Sequence, residues 1–312
     1  MSIHIENQVV KGIIPPMVTP LLSDNVSLDN GGVKQLVEHL IGGGVHGIFI
    51  LGTTGESTSL SYATRRQLII ETCAIVNNRV PVFVGITDTS IEESIQLADV
   101  AKASGAAAVV AAPPYYYGLG QEELFKYYWK LANQLSLPLF LYNMPSHTKI
   151  NIDVKTVVRL AEHKNIIGLK DSSANAVYFQ SLIHLLKAKP QFSLLVGPEE
   201  ITAEIVLMGG HGGVNGGANL FPELYVALYN AALTRDFERI AVLQHLVMEI
   251  STKIYTLGSY GSSYLKGVKG ALSALGIIES NIAMPFSAFE EKEMTQVIAN
   301  VKSIQEAIQK VV

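Results

Sequence analysis

Asn165-Ile166-Ile167-Gly168-Leu169-Lys170-Asp171-Ser172-Ser173 is the stretch on which the reading of this chain turns. An apolar run ends at an amine and passes at once into polar residues, so a buried β-strand stops at Lys170 and a loop begins. Strand side chains alternate between faces, which puts Lys170 on the face of Gly168, with no bulk expected beneath the amine. A lysine desolvated in such a place loses part of its preference for the charged form and can attack a carbonyl as a neutral amine. The competing reading is a strand-end lysine that snorkels to water. The neighbouring segments discriminate between the two.

The same order, a short aliphatic run and then a helix-period segment, recurs along the chain and implies βα units around a parallel sheet. Strands are expected near Gly12–Val18, Gly47–Leu51, Pro81–Ile86, Ala107–Ala112, Pro138–Asn143, Ile166–Lys170, Phe192–Val196 and Gly212–Ala218. Helices are expected over Asn30–Leu40, Tyr62–Asn77, Ile91–Ser104, Gln121–Ser136, Val154–His163, Ala174–Ala188, Ile201–Met208 and Pro222–Leu233. Such a count over roughly 225 residues fits an α/β fold of the (β/α)8 TIM-barrel type, whose usual size is about 250 residues. A doubly wound open sheet is the alternative, and no GxGxxG follows the first strand to favour it. Beyond the eighth unit, Phe237–Tyr255, Tyr264–Leu275 and Ala288–Val311 read as amphipathic helices. The expected division is a barrel catalytic domain over residues 1–235 and a C-terminal three-helix extension over 236–312, packed on the barrel.

Composition narrows the function. The 312 residues are 48% hydrophobic and 16% charged, with 23 Lys and Arg against 27 Asp and Glu and no long run of either sign. No footprint for nucleic acid or membrane is visible, and a small-molecule partner is the default. Met1–Glu6 lacks a charged region followed by an apolar stretch, and no run of about 18 apolar residues occurs elsewhere, so a cytoplasmic location is expected. Cys73 is the single cysteine, which rules out an internal disulfide and any multi-cysteine metal site, and its helical neighbours suggest core packing.

On a barrel, sites form at the C-terminal ends of the strands. Strand two ends in Gly52-Thr53-Thr54-Gly55-Glu56-Ser57, where hydroxyls and amides suit a small carboxylate. Strand four ends in Pro113-Pro114-Tyr115-Tyr116-Tyr117 and strand five in Tyr142-Asn143-Met144-Pro145. Phenols near an amine could relay protons during imine formation, although a lone tyrosine is as readily a core residue. Strand eight, with Gly212, Gly213, Gly216 and Gly217, is nearly bare, so its backbone is expected to line a cavity.

Together, Gly12–Pro20, GTTGES at 52–57, PPYYY at 113–117, YNMP at 142–145 and GLKDSS at 168–173 resemble the dihydrodipicolinate synthase and N-acetylneuraminate lyase family. The resemblance implies class I aldolase chemistry without metal or cofactor, in a homotetramer built as a dimer of dimers. It makes Lys170 the lysine that forms a Schiff base with pyruvate or another 2-oxo acid, and Tyr142 the proton shuttle. Thr53 matches the hydroxyl linking that tyrosine to a second one. Tyr116, or a neighbouring tyrosine, matches the phenol that crosses the dimer to complete the relay. Thr54, with Gly55 and the amides of the same loop, matches the holder of the substrate carboxylate. Gly197 and Val214 match positions whose backbone contributes to the pocket.

Two departures bear on substrate. The synthases carry an arginine two residues after the YN(V/I)P proline, and this chain has His147 there, which cannot present a bidentate charged fork. His147 either donates to a substrate hydroxyl or caps its loop. The sialic acid lyases usually carry serine where Thr53 stands. Cleavage or dehydration of a 2-keto-3-deoxy sugar acid, or of another 4-hydroxy-2-oxo acid, is therefore the leading expectation. Condensation of pyruvate with aspartate semialdehyde comes second and N-acetylneuraminate cleavage third. A metal-dependent aldolase would need clustered ligands, and His46, His147 and His211 are isolated in sequence. A noncatalytic sugar-acid sensor is the non-enzyme alternative, disfavoured because Lys170, Tyr142, Thr53 and Thr54 are all present.

Overall fold

A computed structural model describes residues 9–312; the reading of Met1–Glu6 lies outside the described residues. Eight parallel strands follow one another around a single sheet: β1 Gly12–Ile13, β2 Ile48–Ile50, β3 Val82–Gly85, β4 Ala108–Ala111, β5 Leu139–Asn143, β6 Ile166–Asp171, β7 Ser193–Val196 and β8 Gly212–Gly213. The order is β1-β8-β7-β6-β5-β4-β3-β2. Closure comes from the chain just after β1: Phe49 N donates to Pro15 O at 3.0 Å, and Met17 N donates to Phe49 O at 2.8 Å. The result is a (β/α)8 barrel.

The helices form where apolar residues fall at helical spacing and a side chain caps the first turn. In α1 (Asn30–Gly42), Val33, Leu36, Val37 and Leu40 face the strands, and the Asp29 carboxylate accepts from Gly32 N at 3.0 Å. Ser61 and Ser90 cap α2 (Tyr62–Val76) and α3 (Ile91–Ala103) in the same way. The ring continues with α4 (Gln121–Gln134), a four-residue α5 (Pro145–Thr148) that periodicity did not reveal, α6 (Val154–Leu160), α7 (Ala176–Leu185), α8 (Thr202–Leu207) and α9 (Pro222–Thr234). Two apolar clusters result. One fills the space between strands and helices, and the smaller one, including Ile14, Phe49, Phe83, Val110, Phe140, Leu195 and Val214, fills the barrel.

The expected strands one and eight are the least accurate. Pro15 and Pro16 have no amide hydrogens, so the first strand keeps ladder pairing only at Gly12–Ile13 before the chain crosses to β2. Strand eight pairs over Gly212–Gly213, and Gly216–Asn219 turns into a 3₁₀ helix that Asn219 ties to the first loop, its Nδ2 donating to Pro16 O at 3.0 Å.

Past the barrel lie α10 (Phe237–Lys253), α11 (Ser263–Ala274) and α12 (Glu291–Ile308). Buried polar contacts join this region to strand-end loops. Lys269 forms a fully buried ion pair with Glu56 of the GTTGES loop, and Ala283 N donates to the same carboxylate at 2.7 Å. Among the described residues no helix is long and apolar enough to cross a membrane. Cys73 is buried in α2, and burial pushes its thiol up to about 12.

Candidate active site

Lys170 and Tyr142 are neighbours because β5 and β6 pair in parallel with Tyr142 opposite Lys170. Both are buried, and the Lys170 Nζ lies 4.0 Å from the centre of the Tyr142 ring and 5.4 Å from that of Phe49. The space beneath the amine differs from the expectation. Gly168 contributes no side chain, but the ring of Phe140, its partner on β5, occupies that space, and Phe83 packs edge-on against it at 5.7 Å. Packed aromatic rings therefore support the lysine from below and leave it one direction of approach, the C-terminal mouth.

One residue further, the two strands lock together. Asn143 Nδ2 donates to Asp171 Oδ1 at 2.8 Å, and Asp171 also accepts from Ser173 N at 3.1 Å and from Ser173 Oγ at 2.9 Å. Burial raises the Asp171 carboxyl above its ordinary value although these bonds and the Lys170 charge pull it down. Asn143 and Asp171 stand inside the YNMP and GLKDSS motifs, where the sequence pattern alone assigns them no role. Their equivalent place, one after Tyr142 and one after Lys170, was the available signal.

The loop after β2 brings hydroxyls to the same mouth. Leu51 and Glu56 both adopt positive φ, 57° each, so the six residues curl back on themselves. Gly85 makes the curl possible, because any Cβ there would meet Leu51 O at 2.0 Å. Thr53 Oγ1 lies 3.2 Å from Tyr142 OH, which joins the loop to the phenol above Lys170. Thr54 Oγ1 lies 3.1 Å from Tyr264 OH, a contact absent from the sequence reading because Tyr264 comes from α11. Gly55 sits behind this surface, its carbonyl accepting from Thr19 Oγ1 at 2.7 Å.

A cavity of about 300 Å³ opens over these groups. Thr53, Thr54, Glu56, Ser57, Thr58, Ser59, Thr87 and Tyr142 are among its lining residues, together with His147 from α5 and Tyr264, Leu265 and Phe286 from the C-terminal region. His147 Nδ1 lies 3.0 Å from Ser146 Oγ. Desolvation, then the charges of Lys149 and Lys170, hold the His147 imidazole below its ordinary value, which favours the neutral ring. Among the described residues no arginine or lysine side chain lines the cavity; Lys170 is buried beside Tyr142, which does line it.

The other expected site residues lie elsewhere. Tyr116 is 76% exposed and packs edge-on against Tyr117, while Tyr115 reaches the cavity. Gly197 packs on Ser172, with its carbonyl accepting from Asn215 Nδ2 at 3.2 Å, and Val214 belongs to the cluster inside the barrel; neither lines the cavity. The bare end of strand eight is covered: Tyr264 OH rests against Gly216, and Tyr225 OH against Gly217. His46 and His211 lie at the opposite end, where the backbones of His46 and His211 bond to Ile13 and Gly12, far from His147. No group of three or more His, Cys, Asp or Glu side chains suited to a metal occurs among the described residues.

Sequence reading also missed Glu199, which follows β7. Its side chain is buried, and it accepts from Gly217 N at 2.9 Å, from Tyr255 OH at 2.7 Å and from Tyr225 OH. Burial pushes this carboxyl up to about 7, against the pull of those three bonds.

An amine held under a phenol at the mouth of a barrel is the arrangement of enzymes that work through a lysine imine, and fold and site point to that class. The chain belongs to the dihydrodipicolinate synthetase family, whose model it matches over residues 9–304. It is 35% identical over 294 residues to a 4-hydroxy-tetrahydrodipicolinate synthase of Methanocaldococcus jannaschii, covering 93% of this chain and 97% of that one. It is 33% identical over 298 residues to a probable 2-dehydro-3-deoxy-D-pentonate aldolase of Escherichia coli, covering 94% and 97%. Among solved structures, a dihydrodipicolinate synthase from Bacteroides thetaiotaomicron superposes with a TM-score of 0.92 at 57% identity, covering 94% of this chain and 98% of that one. The prophage protein YagE of Escherichia coli, in complex with pyruvate, gives 0.89 at 30% identity, covering 95% and 98%. The chain is thus a class I, Schiff-base-forming lyase, a pyruvate aldolase of this family.

Proposed function

We propose that Lys170 is the imine-forming residue and that the substrate is a 2-keto-3-deoxy sugar acid or a related 4-hydroxy-2-oxo acid. Lys170 Nζ attacks the C2 carbonyl, and loss of water gives the imine. Tyr142 takes the C4 hydroxyl proton as the C3–C4 bond breaks; the bonding electrons pass into the imine and leave an enamine while an aldehyde departs. Protonation at C3 and hydrolysis then release pyruvate and the free amine. Thr53, 3.2 Å from the phenol, passes the proton onward, and Thr54 with the amides of its loop holds the carboxylate. The same imine stabilises a C3 carbanion and so serves dehydration of a deoxy sugar acid.

The observation that carries the substrate class is the cavity lining, which is rich in hydroxyls and, among the described residues, has no cation for a second carboxylate. Hydroxyl groups and a neutral His147 suit a polyhydroxylated tail. Condensation of pyruvate with aspartate semialdehyde is the second reading, favoured by the 57% identity to the Bacteroides thetaiotaomicron structure. N-acetylneuraminate cleavage is third. We also propose a homotetramer built as a dimer of dimers, in which Tyr116 of one subunit completes the relay of another, and a division into a barrel over 1–235 and a helical region over 236–312. The exposed Tyr116–Tyr117 pair supports the first of these.

Borohydride reduction in the presence of pyruvate should leave one pyruvyl-derived mass per chain, mapped to the peptide holding Lys170. A label on another lysine, or none at saturating pyruvate, defeats the assignment. Comparison of kcat/KM for 2-keto-3-deoxygluconate and its relatives with that for semialdehyde condensation then decides the substrate class.

A further inference from the structure

Tyr264 enters the cavity from α11, outside the barrel, and its oxygen has two neighbours that define its role. On one side it rests against the Cα of Gly216, where a Cβ would lie 1.8 Å away. On the other it meets Thr54 Oγ1 at 3.1 Å. Behind the ring, Tyr255 packs edge-on at 4.8 Å, and the Tyr255 hydroxyl donates to Glu199 Oε1 at 2.7 Å. The adjacent Gly217 gives Glu199 its amide bond at 2.9 Å and leaves room for the Tyr225 hydroxyl, which donates to the same carboxylate. Two glycines in succession thus let three phenols and one carboxylate pack into a single layer beneath the GTTGES loop.

We propose that Tyr264 is a positioning residue for the substrate carboxylate: its phenol donates to Thr54 Oγ1 and thereby turns the Thr54 hydrogen toward the cavity, while Glu199 and Tyr255 seat the ring. A hydroxyl that accepts one bond still has its own hydrogen to give. A phenol, more acidic than an aliphatic alcohol, is the better donor of the pair. Burial, and next the Glu199 carboxylate, raise the Tyr264 phenol above its ordinary value, so it keeps the hydrogen it donates. Without that bond, Thr54 is free to point its hydrogen into the loop, and the substrate carboxylate loses a fixed donor.

The inference rests on the proposed imine chemistry, and reductive trapping separates the two. Tyr264→Phe removes one oxygen and should raise the pyruvate concentration for half-maximal adduct about tenfold, the worth of one hydrogen bond to a charged group. The maximal adduct should stay at one per chain. In a Thr54→Val background the same substitution should add little, because Tyr264 acts through the missing hydroxyl. Should Tyr264→Phe fail to fold, Tyr255→Phe is the substitute, with a smaller rise that again vanishes beside Thr54→Val. Half-saturation within twofold of the unmodified protein, or effects that multiply with Thr54→Val, would overturn the inference while leaving the functional reading intact. An unmodified protein that forms no adduct overturns both.

Discussion

At the scale of single residues, position in the β5–β6 ladder explains why one tyrosine among thirteen is a candidate acid–base group. Tyr142 lies beside Lys170 and is bonded to Thr53, so its phenol can reach an oxygen attached to the imine-bound substrate. Tyr142→Phe should lower turnover by the ~10²–10⁴-fold typical of general acid–base catalysis while still permitting some imine trapping. Turnover close to that of the unmodified enzyme in steady-state assays would count against the relay. Glu199 supplies a pH prediction of a different kind. The groups facing it are the Gly217 amide, Tyr225, Tyr255, Tyr264 and its neighbour Glu200, none of them cationic. Its carboxyl lies at about 7 in the fold against an ordinary 4.5, so its contribution to stability is complete below 4.5 and is lost as pH rises through about 7. Relative to Glu199→Gln, the unmodified protein should lose on the order of 2 kcal/mol of unfolding free energy between pH 5 and pH 8. Urea titrations at the two pH values measure this, and a pH-independent difference between the proteins would contradict it.

At the scale of elements, the strand-end loops and the C-terminal helices are held together by buried polar groups. The Glu56–Lys269 pair is almost wholly removed from water, with Lys269 Nζ also donating to Asn281 O at 2.6 Å. Burial opposes both charges, raising the Glu56 carboxyl and lowering the Lys269 amine, and each partner offsets that cost for the other. Removing one partner alone leaves an uncompensated buried charge. Lys269→Met should therefore cost about 3–5 kcal/mol, and Glu56→Gln with Lys269→Met together should cost less than Lys269→Met alone. Denaturant melts of the two proteins provide the comparison, and equal losses would indicate that the pair is not coupled. The pair also anchors a loop whose Thr53 and Thr54 face the cavity, so the single variant should weaken pyruvate binding as well.

At the scale of the whole molecule, the cavity is assembled from segments as distant in sequence as Phe49 and Phe286, and its chemistry follows from what that assembly omits. A synthase-type condensation needs a partner for the semialdehyde carboxylate, and the position where the synthases place an arginine holds His147. His147→Arg should shift kcat/KM toward aspartate semialdehyde by roughly 10- to 150-fold, the range expected of one charge-assisted bond. Efficient condensation by the unmodified enzyme, with negligible turnover of every sugar acid, would instead make the synthase reading correct. The sequence by itself determined the alternation of strands and helices, the end of strand five, the ends of strands two and six to within one residue, and the place of Lys170, Tyr142, Thr53 and Thr54 at or just beyond those ends. These are matters of local periodicity and of motif order, which a linear chain displays. Tertiary structure alone decided that Phe140 fills the space under the lysine and that strand eight is capped by phenols. It alone placed Tyr264 on Thr54, Glu199 among three tyrosines and Lys269 against Glu56. Each of these depends on which side chains meet between different elements of the chain, and periodicity within one segment carries no information about the partner that will fill a glycine's empty place or neutralise a buried charge.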